Sequence, residues 1–561
     1  MRIRKLSAGL GLVGLLLTAP GCKDFFDVNV DPIHPISATN EQLLPVTQVA
    51  MATYLGFNLN GLSQPTAALM GQLSNSRSIG TFSQSGDSFN NEWSGLYTDM
   101  LNNNEQIIRQ ATAQQSWTFL GIAQLQKAYV VSQMVDMWGD IPYSQALQGA
   151  SNRAPRFDKD SDIYNGNQTL GIQGLFSLID EALANLAKGG VTPSNDIIYG
   201  GNALKWSRFG RSLKLKLYNQ IRKTRDVSAD VTTLLGQDLL TAQDDFEVKY
   251  GSTTTPENRN VGFLADYVNV GRENHIGIHF YERMRGTSAG NTTRAPRDPR
   301  LPYYFFNQNR STVENTNVDY QEPANRGRLF ISRRFGSTGR NAAAADADVR
   351  TLPGLYPIGG RFDNGEGGNA TSDFGRGLVA QRLLTYFSRK YTEAEVRLMV
   401  LNDATAAGVA LEEAIRASFA KVNQIAAAEG TSPAGVGVSA LPVPQISAAA
   451  INTYVTREMA AYNAATTAQG KLAIIMEQKY IASFGFGLDI YTDFRRTYLP
   501  RIKVPGNADP ARGTEDDDDN ETASSGGFPR RLLYRQDDLT TNPNAPKQPN
   551  VLTDRIFWDV Q

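Results

Sequence analysis

Cysteine is nearly absent from this sequence, with Cys22 the single one in 561 residues. A disulfide needs two, so an internal bridge framework is excluded, and Cys-rich zinc or iron–sulfur sites go with it. Histidine is almost as scarce, at three residues, which leaves little for imidazole metal binding or acid–base chemistry. After the N-terminal apolar segment no run of 18 apolar residues occurs, so nothing there reads as a membrane-spanning helix. An excess of charge is missing as well: 55 Lys and Arg against 56 Asp and Glu leave a net charge of −1. No global field draws such a chain to nucleic acid or to an anionic membrane. Phosphate loops, dinucleotide fingerprints and nucleophile elbows are lacking. What remains is an ordinary globular composition, 41% hydrophobic and 20% charged, long enough to bury a large core.

The lone cysteine sits where an apolar run gives way to a charged sequence. Arg2, Arg4 and Lys5 precede an apolar stretch from Ala8 to Leu17, and Ala19, Pro20 and Gly21 lead to Cys22. The stretch is too short to span a bilayer, which takes about 20 residues as helix, and reads as a signal peptide over residues 1–21. Small residues followed by a cysteine resemble the lipobox of bacterial lipoproteins, with Ala19 where that motif favours Leu. The resemblance implies that Cys22 becomes the lipidated first residue of a mature chain, residues 22–561, read as one domain. Lys23, Asp24 and Asp27 then resemble the surface-export signal of Bacteroidetes lipoproteins.

Helical periodicity dominates the mature chain. Trp93, Tyr97 and Leu101 recur at spacing four, followed by Ile107 and Ile108. From Ser116 to Trp138 the pattern repeats through Trp117, Leu120, Ala128, Val131 and Val135, with Ser116 as candidate N-cap and Gly139 and Pro142 as stops. The same texture predicts Leu170–Lys188 with Ala203–Arg225, Thr392–Ala407 with Leu411–Ala428, and Ala448–Tyr462 with Thr467–Phe484. The fold class is therefore mainly α: four tetratricopeptide-type helix hairpins, at about 91–138, 170–225, 392–428 and 448–484, supporting a large irregular region with short strands. That region, 251–380, is rich in Gly, Asn, Thr, Arg and Pro with scattered aromatics. Connections this long inside a compact protein are usually functional.

Candidate chemistry is sparse. His275 and His279 in "HIGIH" alternate with Ile276 and Ile278, which predicts a strand that sets the imidazoles about 13 Å apart, too far to share a metal. The run Glu515–Asp519 lacks the glycine-punctuated pattern of a calcium loop and reads as solvated. Arg208, Arg211, Lys214, Lys216, Arg222 and Lys223 lie opposite Trp206, Phe209, Leu213, Leu217 and Ile221, an amphipathic packing pattern. Asp489, Asp493, Arg495 and Arg496 are spaced for ion pairs that tie a short helix in place. No metal or other cofactor is expected. Paired carboxylates for glycoside hydrolysis are a matter of spatial separation and leave a surface glycan hydrolase open as the alternative.

The segments "WSGLYTDMLNNNEQIIRQA", "AQLQKAYVVSQMVDMWGDIPYSQAL", "LKWSRFGRSLKLKLYNQI", "DPRLPYYF", "IIMEQKYIASFGFGLDIYTDFRR" and "PRRLLYRQDDLTTNPN" follow one another along the chain. In that order they resemble the SusD/RagB family, surface lipoproteins of Bacteroidetes that bind nutrients. "DMWGDIPYSQAL" is the most distinctive, and in "TEAEVRLMVLNDA" Glu395 matches the family pattern while Asn402 replaces its second acidic position. The resemblance implies a non-catalytic, lipid-anchored protein on the cell surface at the outer membrane. It implies capture of an oligosaccharide or a peptide, glycan first, and delivery to a SusC-like TonB-dependent transporter barrel beneath it, over which the protein acts as a hinged cover. It also implies a ligand surface in loops outside the repeats. Flat rings that cover sugar faces, and forked polar groups that bond hydroxyls, single out Phe82, Tyr281, Arg283, Tyr356, Phe362 and Phe374 as candidate ligand residues.

Overall fold

In the computed structural model the described residues are 38–74, 83–269, 272, 274–285, 297–308, 330, 348–435, 437–502 and 528–560. Cys22, Phe82 and the run Glu515–Asp519 lie outside them.

The N-terminal half is built on helices whose ends are written locally. Helix α1 (Asn40–Leu55) opens on a capping box in which Thr39 and Gln42 each bond the other's backbone amide. Asn90–Gly95, a π-helical turn at Leu96–Leu101 and α2 (Asn102–Ala113) run head to tail, and α3 (Trp117–Trp138) folds back against α2. Nearly every residue of α3 is buried, so this helix is the spine of its half. Ser116 occupies the N-cap position of α3, yet its side chain makes no capping hydrogen bond, contrary to expectation. The other end behaves as predicted: Gly139 turns the chain at φ +77°, where a Cβ would stand 2.8 Å from the Arg531 guanidinium. A short antiparallel pair, β1 (Ile141–Pro142) with β2 (Phe157–Asp158), follows.

Helix α4 (Leu175–Lys188) starts later than the predicted Leu170, because Asn167 and Ile172 bridge a turn first. Helix α5 (Ala203–Ile221) is capped by Asn202, whose side chain accepts the Lys205 amide, and it packs beside α4. On its basic face Lys214 pairs with Asp180 at 2.6 Å and Arg208 with Asp238 at 2.7 Å, whereas Lys216, expected on that face, is buried and pairs with the distant Asp489 at 2.6 Å. Helix α6 (Ser228–Leu235) follows.

In the C-terminal half, β3 (Phe246–Val248) pairs with β6 (Gln381–Leu384), and β4 (Phe305–Asn307) with β5 (Thr351–Pro353), all antiparallel. Helices α7 (Tyr386–Met399) and α8 (Ala404–Glu429) pack along one another. The predicted break between Ala407 and Leu411 is thus misplaced. Thr385 caps α7 well before Thr392, and the turn falls at Val400–Asp403, where Asn402 takes φ +55° and Asp403 caps α8. Asparagine tolerates the left-handed region, so the residue that departs from the family pattern is the one that turns the chain. Helices α9 (Ala448–Ala464), α10 (Ala468–Ala482) and α11 (Gly487–Thr497) complete the set, the first two capped by Ser447 and Thr467. The strand predicted around "HIGIH" is reduced to one bridge, Leu73 with Ile276, after which Ile278–Arg285 is helix. Five residues of alternation are too few to separate the two periods.

Two kinds of contact join these parts. The ion pairs expected near α11 are buried rather than solvated: Asp493 holds Arg496 and Lys479, each at 2.6 Å. Glu395 on α7 receives Arg496, Arg222 at 2.9 Å and the Asn219 amide at 2.7 Å. Arg495 differs from its neighbour, donating instead to the backbone carbonyls of Arg530 and Asp136 at 2.9 and 2.6 Å. The C-terminal segment then seals the end of α3. Leu532 donates to Met137 at 2.8 Å, Trp138 to the Leu533 carbonyl at 3.0 Å, and Trp558 to Asp136 at 2.9 Å.

Candidate ligand-binding site

The motif segments distant in sequence converge on one cleft. Trp93, on the helix before the π-turn, stands edge-on to Trp138 at 5.1 Å, 5.2 Å from Tyr97 and 6.3 Å from Phe157. Tyr534 closes the cluster, 5.3 Å from Phe157. Trp93 and Trp138 are buried, whereas Tyr97 and Phe157 are partly exposed. A cavity of about 200 Å³ opens over those two rings, with Pro142, Arg153, Pro155, Asp538, Thr541 and Asn542 around it.

Each wall has a structural cause. The β1–β2 pairing of Pro142 with Phe157 sets one side. Tyr97 is oriented by its hydroxyl, which donates to the Pro142 carbonyl at 2.7 Å. The opposite side is the short helix Gln536–Thr541, tied across by Asn542 donating to the Pro155 carbonyl at 2.7 Å. Asp538 accepts the Trp93 indole N–H at 2.5 Å, and burial raises its carboxyl above the usual range despite that bond. A floor of rings under a rim of carboxylate, amide, hydroxyl and guanidinium groups can stack one face of a pyranose and bond its hydroxyls. The volume is below the roughly 300–1,000 Å³ of clefts that enclose drug-sized ligands, and suits a single ring of a longer chain.

The residues expected from the loop region are placed differently. Tyr356 is fully buried, stacked on Tyr304 at 4.5 Å, under the Arg382 guanidinium at 4.1 Å and donating to the Ala482 carbonyl at 2.9 Å. Phe374 is likewise buried against Phe306 and Arg361, and Phe362 packs on Tyr303 at 4.8 Å. Tyr281 stacks on Phe330 at 3.8 Å, and Arg283 is held in a partly exposed pair with Glu477. Tyr281 meets Phe305 at 5.7 Å, and Tyr356 is joined to Phe484 through Tyr304, so that as placed these buried rings present no open face.

Beside that core lies a buried acid. Asp266 is fully buried, accepts one bond from Asn274 at 2.7 Å, and its carboxyl is pushed up to about 7 by burial. The folded state therefore keeps a proton that the unfolded chain releases near pH 4, and this stabilisation, complete below that pH, is lost as pH rises through 7. Asp266→Asn should flatten the dependence. Between pH 5 and 8 the wild type should lose at least about 1 kcal/mol relative to the variant, read from urea midpoints, and an unchanged difference would refute the burial argument.

The larger cavity, about 630 Å³ between α4, α5 and α6, has one ring in its lining, Tyr218, which is buried and stacked on Phe176 at 4.4 Å. It is lined by Asp180, Arg211, Lys214, Asp230 and Asp238, with Lys214 already paired to Asp180. The aromatic cleft remains the better candidate.

The fold and the sequence both have relatives. The family described as "Starch-binding associating with outer membrane", SusD-like, matches residues 34–342, and that described as "Susd and RagB outer membrane lipoprotein" matches residues 387–555. The chain belongs to the SusD-like family. Among solved structures, a SusD/RagB family protein from Bacteroides thetaiotaomicron is 20% identical over 93% of this chain and 99% of that one, with a TM-score of 0.67. A SusD homolog from Bacteroides fragilis is 18% identical over 93% and 99%, with a TM-score of 0.66. A chitin-binding SusD homolog from Flavobacterium johnsoniae is 18% identical over 93% and 97%, at 0.59. No curated protein matches the sequence.

As a SusD-like protein the chain is an outer-membrane lipoprotein of a family of non-catalytic binding proteins. The hydrolase alternative is thereby withdrawn. The cleft residues Tyr97, Phe157 and Asp538 were not among the sequence candidates, although Tyr97 and Asp538 lie in segments that carry the family resemblance. The signal was present in "DMWGDIPYSQAL" and "RRLLYRQDDLTTNPN", read as helix stops and tail rather than as the walls of one cleft.

Proposed function

We propose that this SusD-like protein is tethered by acyl chains on Cys22, captures an oligosaccharide at the cell surface and passes it to a TonB-dependent transporter barrel. The observation that carries the reading is the cleft: partly exposed Tyr97 and Phe157 rings beneath Asp538, Asn542 and Arg153, in a family of nutrient-binding lipoproteins. Sugar rings stack on such faces, whereas an extended peptide gains most from free strand edges or a deeper apolar groove. Glycan therefore precedes peptide.

The chitin-binding relative makes chito-oligosaccharides the first probe, with starch oligomers and peptides beside them. Calorimetry should show saturable binding to one glycan class with the ligand recovered intact. Phe157→Ala and Asp538→Asn should each weaken it roughly tenfold, since a stacked ring contributes about 0.5–1.5 kcal/mol beyond its buried area and a charged hydrogen bond a similar amount or more. Melting temperatures control for packing loss around Trp93. Unchanged affinity in both folded variants would move the site elsewhere, and co-purification with a barrel after gentle detergent extraction tests the delivery step.

A further inference from the structure

A third cavity, about 150 Å³, lies between the end of α8 and the segment leading into β6, walled in part by Leu355, Leu378, Val379 and Ile425. Glu429, the last residue of α8, forms part of its lining and is only 4% exposed. Its Oε1 has no hydrogen-bond partner, and the nearest cation, the half-exposed Arg376, is 3.9 Å away, beyond bonding distance. A carboxylate is disfavoured there twice, by loss of water and by the negative end of a 26-residue helix.

The other charged groups at the cavity are accounted for. Lys421 holds Asp245 at 2.9 Å and Glu247 at 2.8 Å. Arg382 donates to the carbonyls of Tyr356 and Phe484, both at 2.9 Å, and Lys249 is exposed. One buried acceptor thus lacks a donor, at the wall of a hole whose apolar part includes Leu355, Leu378, Val379 and Ile425.

We propose that this cavity binds a small organic cation, a primary ammonium on a compact apolar body, with the ammonium on Glu429 and the body against Leu378 and Ile425. Its volume is that of an engineered cavity known to admit benzene. A metal ion fits poorly, because calcium takes six to eight oxygens and no group of three or more acidic, His or Cys side chains that could hold a metal ion occurs among the described residues. An anion would face the Glu429 carboxylate while Lys421 and Arg382 are engaged and Lys249 is exposed.

The binding has a pH signature. Burial pushes the empty-state Glu429 carboxyl up to about 7, so an arriving ammonium must displace a proton below that pH. Arg376 works in the opposite direction, and Glu247, Lys249, Lys421 and Arg382 complete the charged surroundings.

The test titrates the full protein with n-butylammonium and, separately, n-butanol, by calorimetry at pH 5.5 and pH 8. The expected result is at least tenfold preference for the amine at pH 8, shrinking several-fold at pH 5.5, with proton release on binding. Glu429→Gln, isosteric and uncharged, should abolish both the preference and the pH dependence while leaving glycan binding at the aromatic cleft unchanged. Equal affinity for amine and alcohol in the wild type, no binding of either, or a preference that survives Glu429→Gln would overturn the proposal. So would calcium or sodium chloride displacing the amine at equal concentration. The wild-type pH comparison stands even if the variant fails to fold.

Discussion

Glu395→Ala is expected to destabilise the protein by about 3–5 kcal/mol, the usual cost of leaving buried charges without their counter-ion. Two guanidiniums bond this carboxylate, Arg222 and Arg496, whose side chains are 5% and 0% exposed, and of the two only Arg496 has a second carboxylate among the described residues, Asp493. Asn219 would lose its acceptor too. Against the roughly 5–15 kcal/mol that typically separates folded from unfolded domains, the loss is severe. Urea unfolding should show a lower midpoint with the slope preserved. Glu395→Gln, which keeps an acceptor for Asn219, should cost less. If both variants unfold at the wild-type midpoint, the network joining α5, α7 and α11 does not hold the halves together. An exposed pair such as Arg416–Glu412, each side chain 43% exposed, should move stability by less than about 1 kcal/mol when broken.

Cys22→Ala is expected to move the protein from the membrane fraction to the soluble one almost completely. Among the described residues no helix is long and apolar enough to cross a membrane. Under the proposed function the acyl chains contribute about 0.8 kcal/mol per buried methylene, so that two or three make release slow while none makes it immediate. Fractionation of cells expressing either form, with mass spectrometry of the mature N-terminus, measures the effect. A variant that still sediments with membranes, or an unmodified thiol at position 22, would remove the anchor from the proposed function. Transporter contact would then have to supply the whole attachment.

How far the sequence could be read differs between elements. Helix α3 was legible from end to end because Trp117, Val131 and Trp138 mark one period and Gly139 stops it. The α7–α8 junction was not, since Met399 to Ala410 contains only residues tolerated in a helix and the break depends on Asn402 turning left-handed. Ion pairing around Asp493 was foreseen, but its burial was not. Spacing identifies which charges can meet along one helix, not that Lys479 and Glu395 arrive from others.

The aromatic residues divide along the same line. Tyr356 and Phe374 sit among Gly, Asn and Asp, a context that reads as surface loop, and both are sealed by rings and guanidiniums. Phe157, in an unremarked polar stretch, is one that meets solvent at the cleft.

By itself the sequence determined the helical class, the course of α3, α5, α9 and α10, the candidate anchor at Cys22 and the family, because these rest on residues a few positions apart or on short ordered motifs. Only the tertiary structure decided which rings are core and which are open, and that Tyr97, Phe157 and Asp538 line one cleft. Exposure belongs to no residue alone: it is set by what packs on it from hundreds of positions away, and neither period nor composition records that neighbour.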